Sequence, residues 1–129
     1  MITDQRALFD ASLVDSAALH ERARPNPQLV LDAAATIVDA FRRGRTLLLF
    51  GNGGSSANVL AALEAATAKG LKTVALTGKD GGAVGRAAAI HLNVPAASIA
   101  RVQEVHRTLL HIICDIVERE LIDSSVGLA

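Results

Sequence analysis

The feature that most constrains this chain is a short apolar run, Thr46–Phe50 (TLLLF), that passes directly into the turn GNGGSS at Gly51–Ser56 and then into an alanine- and leucine-rich stretch. An uninterrupted apolar run of this length reads as a strand buried on both faces, which needs helices above and below it. The same pattern recurs downstream. Leu71–Thr77 (LKTVALT) is a second buried strand ending in GKDGG, and Ile90–Val94 (IHLNV) is a third, stopped by Pro95. Helical segments separate them, one from about Ser56 to Lys69 and a short one over Ala83–Ala89 interrupted by Gly85. Strands alternating with helices across short turns predict an α/β fold on a parallel sheet.

Helices flank this core. The segment from about Asp4 to Arg22 is rich in Ala, Leu and charge, with a thin apolar stripe (Leu8, Leu13, Ala17) that calls for cover from outside a single-domain core. Prolines at 25 and 27 break it. Asn26 is then a good N-cap and Pro27 a good first helical residue, with Val30, Ala34, Ile37 and Phe41 following at helical spacing as far as Gly44. The last helix, Ile99 to about Leu121, places Val102, Val105, Leu109, Ile112 and Ile116 on one face, with Cys114 read as core. The reading is one domain over 1–129, with N-terminal helices over 1–44 and an α/β core ending in the long helix over 45–129.

Composition excludes several functions. Thirteen basic and thirteen acidic side chains give a net charge of zero, against the basic surplus that nucleic-acid binding demands. With no Trp or Tyr and three Phe, no base-stacking platform exists. The absence of a long apolar run argues against a membrane partner, and one cysteine rules out an internal disulfide or a cysteine zinc cluster. MITDQRALFD lacks a basic patch followed by an apolar stretch, so the expected location is the cytoplasm. Zero net charge is compatible with self-association.

Two places can carry chemistry. In the Gly51–Ser56 turn, glycines allow close backbone approach, the following helix offers free N–H groups, and Ser55 and Ser56 add hydroxyls, the ingredients of a phosphate site. The competing reading is a tight turn with a capping serine. No Lys completes a nucleoside-triphosphate loop, and the match to a dinucleotide fingerprint is partial. On the last helix, RVQEVHRTLLH, Gln103 and His111 lie eight residues apart, roughly 80° around the axis, so both can reach one side of a site. His111 reads as a general acid or base, as a metal ligand, or as a core or interface histidine. His106 points away from the His111 direction, and nothing in the sequence gathers around His20 or His91.

Taken in order, GNGGSSA, SANVLAALEAATAKG, VALTGKDGG and RVQEVHRTLLH resemble the sugar isomerase (SIS) domain, specifically the phosphoheptose isomerases. The resemblance implies a flavodoxin-like three-layer α/β fold, here with a reduced parallel sheet, N-terminal helices and a long C-terminal helix. It also implies a homotetramer or dimer, a sugar-phosphate substrate, and aldose–ketose conversion of sedoheptulose 7-phosphate to a heptose 7-phosphate. On this chain it assigns Asn52, Gly53, Gly54, Ser55 and Ser56 to the phosphate site and His111 to catalysis. Some members bind zinc, which would fall to Gln103 and His111. One departure stands out: the family has two serine-containing loops separated by sheet and helix, whereas here GNGGS runs straight into SANVLAALEAA. The missing stretch holds the family's catalytic glutamate. Read as the early loop, this helix has Ala61 at the family's histidine position, and Glu64 comes one residue, about 100° of rotation, too soon. The sequence thus supports an isomerase-family protein that binds a sugar phosphate, its activity left open by the missing or displaced glutamate, with a catalytically inactive sugar-phosphate-binding or protein-interaction scaffold as the alternative.

Overall fold

A computed structural model describes residues 2–44 and 56–126. The expected strand over Thr46–Phe50 and the turn residues Asn52, Gly53, Gly54 and Ser55 lie outside these. The elements run α1 (Ile2–Arg22), α2 (Pro27–Arg42), α3 (Ala57–Ala68), β1 (Val74–Gly78), α4 (Gly82–Ala87), β2 (Ile90–Val94) and α5 (Ile99–Val126).

Local chemistry sets their ends. The Asn26 side chain accepts from the Gln28 N–H at 2.9 Å, with Pro27 in the first turn of α2, where its missing N–H costs nothing. Ser56 caps α3, its hydroxyl accepting weakly from the Val59 N–H at 3.5 Å. α3 closes through Gly70 at φ +75°, which turns the chain so that the Leu71 N–H reaches back to the Ala66 carbonyl at 3.0 Å. That closure takes Leu71 into the helix end, so β1 starts at Val74 rather than at Leu71 as the apolar run suggests.

The two strands pair in parallel, Val74 opposite Ile90 through Gly78 opposite Val94. Strand alternation then sorts the side chains. Val74, Leu76, Ile90, Leu92 and Val94 join α1, α2 and α5 in one apolar cluster; Ala75 joins Leu63 of α3 and Val84 of α4 in the other. Helices thus cover both faces of a reduced parallel sheet. Ala33, fully buried on α2, and Ala34 hold the side facing α5 small enough for the helices to pack closely.

The long helix corrects the expected face. Val102, Val105, Leu109, Ile113 and Val117 are buried, whereas Ile112 is 44% exposed and Ile116 half-buried. At 100° per residue Ile112 points about 80° from Val102, and Ile113 about 20°. Cys114, one residue beyond Ile113, is exposed rather than core. On α2 the buried face is Val30, Ala33, Ala34 and Val38, with Phe41 45% exposed. On α1, among residues 5–22, only Leu19 contributes a buried side chain to the cluster, joined by Ala23 just after the helix, while Leu8, Phe9, Leu13 and Val14 are exposed. No helix of the described residues is long and apolar enough to cross a membrane.

Because Leu92 is almost wholly buried between the strands and helices, Leu92→Ala is expected to cost about 2–5 kcal/mol of stability in chemical denaturation. A loss below about 1 kcal/mol would show that the core does not close on β2.

Candidate functional site

Ligands of open parallel sheets bind beyond the carboxyl ends of the strands. Here that edge comprises the turn after β1 (Gly78–Gly81), the loop after β2 (Pro95–Ser98) and the first turns of α5. A recess of about 270 Å³ opens between α1 and the β2–α5 loop, and its lining includes Arg22, Ser98 and Arg101.

Beneath the edge lies a polar network that the sequence reading missed. Thr77 and Asn93 are register partners, and His91 sits one pair earlier on the same face. The Thr77 hydroxyl donates its single proton to Asn93 Oδ1 at 2.8 Å. It must therefore accept at the 2.6 Å contact with His91 Nε2, which makes that nitrogen the donor and fixes the ring's Nε2–H form. Asn93 Nδ2 donates to the Lys79 carbonyl at 3.1 Å, and His106 Nε2, reaching down from α5, donates to the Thr77 carbonyl at 2.8 Å. Every buried polar side-chain atom among the described residues has a partner. The signal was present in the strands as single polar residues, Thr77, His91 and Asn93, at alternate positions of apolar runs.

The imidazole of His91 occupies the space that side chains on the neighbouring turn and α4 would need. A Cβ at Gly81 would come within 2.5 Å of His91 Cε1, and one at Gly85 within 2.3 Å. This explains a glycine inside a short helix, where alanine would otherwise be preferred. Burial lowers the pKa of His91 below its ordinary value of 6.5.

A second cluster ties α1 to α5. Ser16 Oγ donates to Glu104 Oε2 at 2.5 Å, Arg101 pairs with the same carboxylate, and His20 Nε2 lies 3.0 Å from Thr108 Oγ1. The Ser16 hydrogen bond, followed by that from Arg101, holds the Glu104 carboxyl below the usual range. Glu104 is therefore engaged in joining two helices, and His20, like His91, has partners that sequence spacing did not reveal.

The site residues named from sequence fall in separate places. Ser56 caps α3, whereas Gln103 and His111 are exposed on α5 and their side chains make no hydrogen bond among the described residues. Rotation puts Gln103, Arg107, Leu110, His111 and Cys114 on one arc, roughly 100° wide, turned away from both the sheet and α1. Glu64 is exposed on α3. For zinc, Gln103 and His111 offer one amide oxygen and one imidazole where four ligands are usual. No cluster of three His, Cys, Asp or Glu side chains exists among the described residues. By themselves these residues do not compose a zinc site.

Residues 16–112 match the SIS domain family. The chain belongs to that family. Among curated relatives, the phosphoheptose isomerase of Vibrio parahaemolyticus serotype O3:K6 is 48% identical over 81 residues, covering 62% of this chain and 42% of that protein. The phosphoheptose isomerase of Geobacter sp. strain M21 is 56% identical over 68 residues, 53% of this chain and 35% of its own length. That of Vibrio cholerae serotype O1 is 46% identical over 80 residues, 61% of this chain and 42% of its own length. This SIS domain therefore spans about two fifths of the length of the relatives it matches, with its two described strands paired as a parallel α/β domain requires.

Two outcomes follow from the His91 packing. Gly85→Ala is expected to destabilise by about 1–3 kcal/mol, although alanine normally favours a helix. In a His91→Ala background the same change should cost less than half as much; equal costs in a double-mutant cycle would mean the ring is not the obstacle. The second outcome concerns pH. The folded chain binds the His91 proton less tightly than the unfolded chain, so this contribution to stability is intact above 6.5 and is lost as pH falls through that value toward the folded pKa. Melts from about pH 7.5 to about pH 5.5 should show a shallower fall for His91→Gln than for wild type. Parallel profiles would contradict it.

Proposed function

We propose that this SIS domain binds a sugar phosphate at the carboxyl edge of its strands and serves the aldose–ketose isomerisation of sedoheptulose 7-phosphate. The observation that carries this reading is the 48% identity over 81 residues to an enzyme named phosphoheptose isomerase. The turn over Gly51–Ser56, with Asn52, Gly53, Gly54, Ser55 and Ser56, is assigned to the phosphate. Its backbone N–H groups and hydroxyls supply the donors such an oxyanion needs.

Isomerisation moves a proton between adjacent carbons through an enediol, so one group takes the proton and another steadies the oxygens. His111 is assigned the proton transfer: an imidazole can both accept and donate a proton, and the exposure of this one leaves it open to substrate. The second group is not Glu104, the acid nearest in helical phase, which is engaged with Ser16 and Arg101. We assign that role to a neighbouring copy of the chain, in a dimer or tetramer that also covers the exposed Leu8, Phe9, Leu13 and Val14 of α1. Zinc belongs to this reading only with donors added to Gln103 and His111 from outside the described set. The proposed setting is the cytoplasm.

The test is a coupled assay with sedoheptulose 7-phosphate, run beside calorimetric binding and light scattering. His111→Ala is expected to lower turnover by about 10²–10⁴-fold. Because the side chain is exposed, the stability of each protomer should change by no more than about 0.5 kcal/mol. Binding without turnover by the wild-type chain would favour the inactive scaffold, and absence of binding would defeat the whole reading.

A further inference from the structure

The turn after β1 holds a conformation that its sequence makes costly. Lys79 lies at φ +54°, the only non-glycine residue at positive φ among those described. Glycine occupies this region freely, and a long side chain does so under strain. Such strain persists only where the surroundings over-determine it, and it concentrates at ligand sites.

The surroundings here do so from several elements. The Lys79 N–H donates to the Ala96 carbonyl at 3.1 Å, beyond the end of β2, and the Lys79 carbonyl accepts from Asn93 at 3.1 Å. The Gly81 N–H closes the turn onto the Gly78 carbonyl at 3.0 Å, and Asp80 Oδ1 accepts from the Gly82 N–H at 3.2 Å. Asn93 is itself fixed by Thr77, whose carbonyl is held by His106 of α5. A strand, a second strand with its following loop, and the long helix thus converge on one turn. What that turn presents is the exposed Lys79 side chain, whose ammonium has no ion pair or hydrogen bond among the described residues. Asp80, its neighbour, has one carboxylate oxygen occupied by Gly82.

We infer that Lys79 is a phosphate-recognising side chain, held at the strands' carboxyl edge by the strained turn to meet a sugar-phosphate dianion. The inference rests on the sugar-phosphate reading above and adds to it a specific residue. A phosphomonoester carries close to two negative charges near neutral pH, and a lysine ammonium serves it as a point charge. The geometry explains why glycine, the unstrained choice, is not used: it would keep the turn and lose the cation.

Glycine at 79 separates the two effects. Titration calorimetry with sedoheptulose 7-phosphate, and with inorganic phosphate as a second probe, is run on wild type, K79G, K79Q and K79R beside thermal melts. K79G is expected to melt at or above the wild-type temperature while binding at least about tenfold more weakly. K79Q, which keeps the stem without the charge, should be weakened similarly, and K79R should stay within about threefold of wild type. Unchanged affinity in K79G and K79Q overturns the inference and leaves the sugar-phosphate reading standing. A lower melting temperature for K79G overturns the strain argument on which it depends. A wild-type chain that binds neither probe overturns the underlying reading instead.

Discussion

The parallel register that sets Thr77 beside Asn93 is the constraint on which the rest of the described structure depends. It sends Leu76, Leu92 and Val94 to the face covered by α2 and α5, and Ala75, Thr77, His91 and Asn93 to the face covered by α3 and α4. A slip of one residue would exchange the faces, putting an imidazole and an amide against aliphatic helices. The hydrogen bonds among Thr77, His91 and Asn93 oppose that slip, because each donor and acceptor finds its partner only in this alignment. The same bonds reach the turn after β1 through Asn93 and reach α5 through His106. Register, turn and helix position are therefore one coupled arrangement.

α5 shows how a single helix serves three surroundings. One arc, Val102 to Val117, faces the sheet and α2; a second, with Arg101, Glu104 and Thr108, meets α1; the third, carrying Gln103, Arg107 and His111, is open. Glu104 and His111 are nearly eclipsed by spacing, yet they have different fates. The side-chain hydrogen bonds from α1 fall on Glu104 and Thr108, so α1 claims Glu104 while the His111 side chain stays exposed. An acid nearly in phase with His111 is thereby committed to holding two helices together.

Much of the fold was legible in local chemistry. Asn26–Pro27 announced the start of α2, Gly70 the end of α3, and Ile90–Val94 a strand, because caps, left-handed glycines and short apolar runs act over a few residues. The face of α5 was less legible. Both Ile112 and Ile113 are apolar, and only the neighbours that α5 meets decide which is covered. The candidate site was legible by type and not by place. Ser56, Gln103 and His111 carry the right groups, while their separation on α3 and on the open arc of α5 could be seen only once the helices were packed.

By itself the sequence determined the alternation of helix and strand, the chain's kinship with the SIS family, and the glycine and serine chemistry suited to an oxyanion. These follow from hydrophobic period, turn residues and ordered motifs, all local properties of the chain. Only the tertiary structure decided that His91 is a partnered ring filling the space over Gly81 and Gly85, that Glu104 belongs to a helix contact, and that Lys79 is pinned at positive φ with its ammonium exposed. Those outcomes depend on groups from distant parts of the chain meeting at hydrogen-bond distance. Spacing along one element carries no information about which residue of another will arrive there.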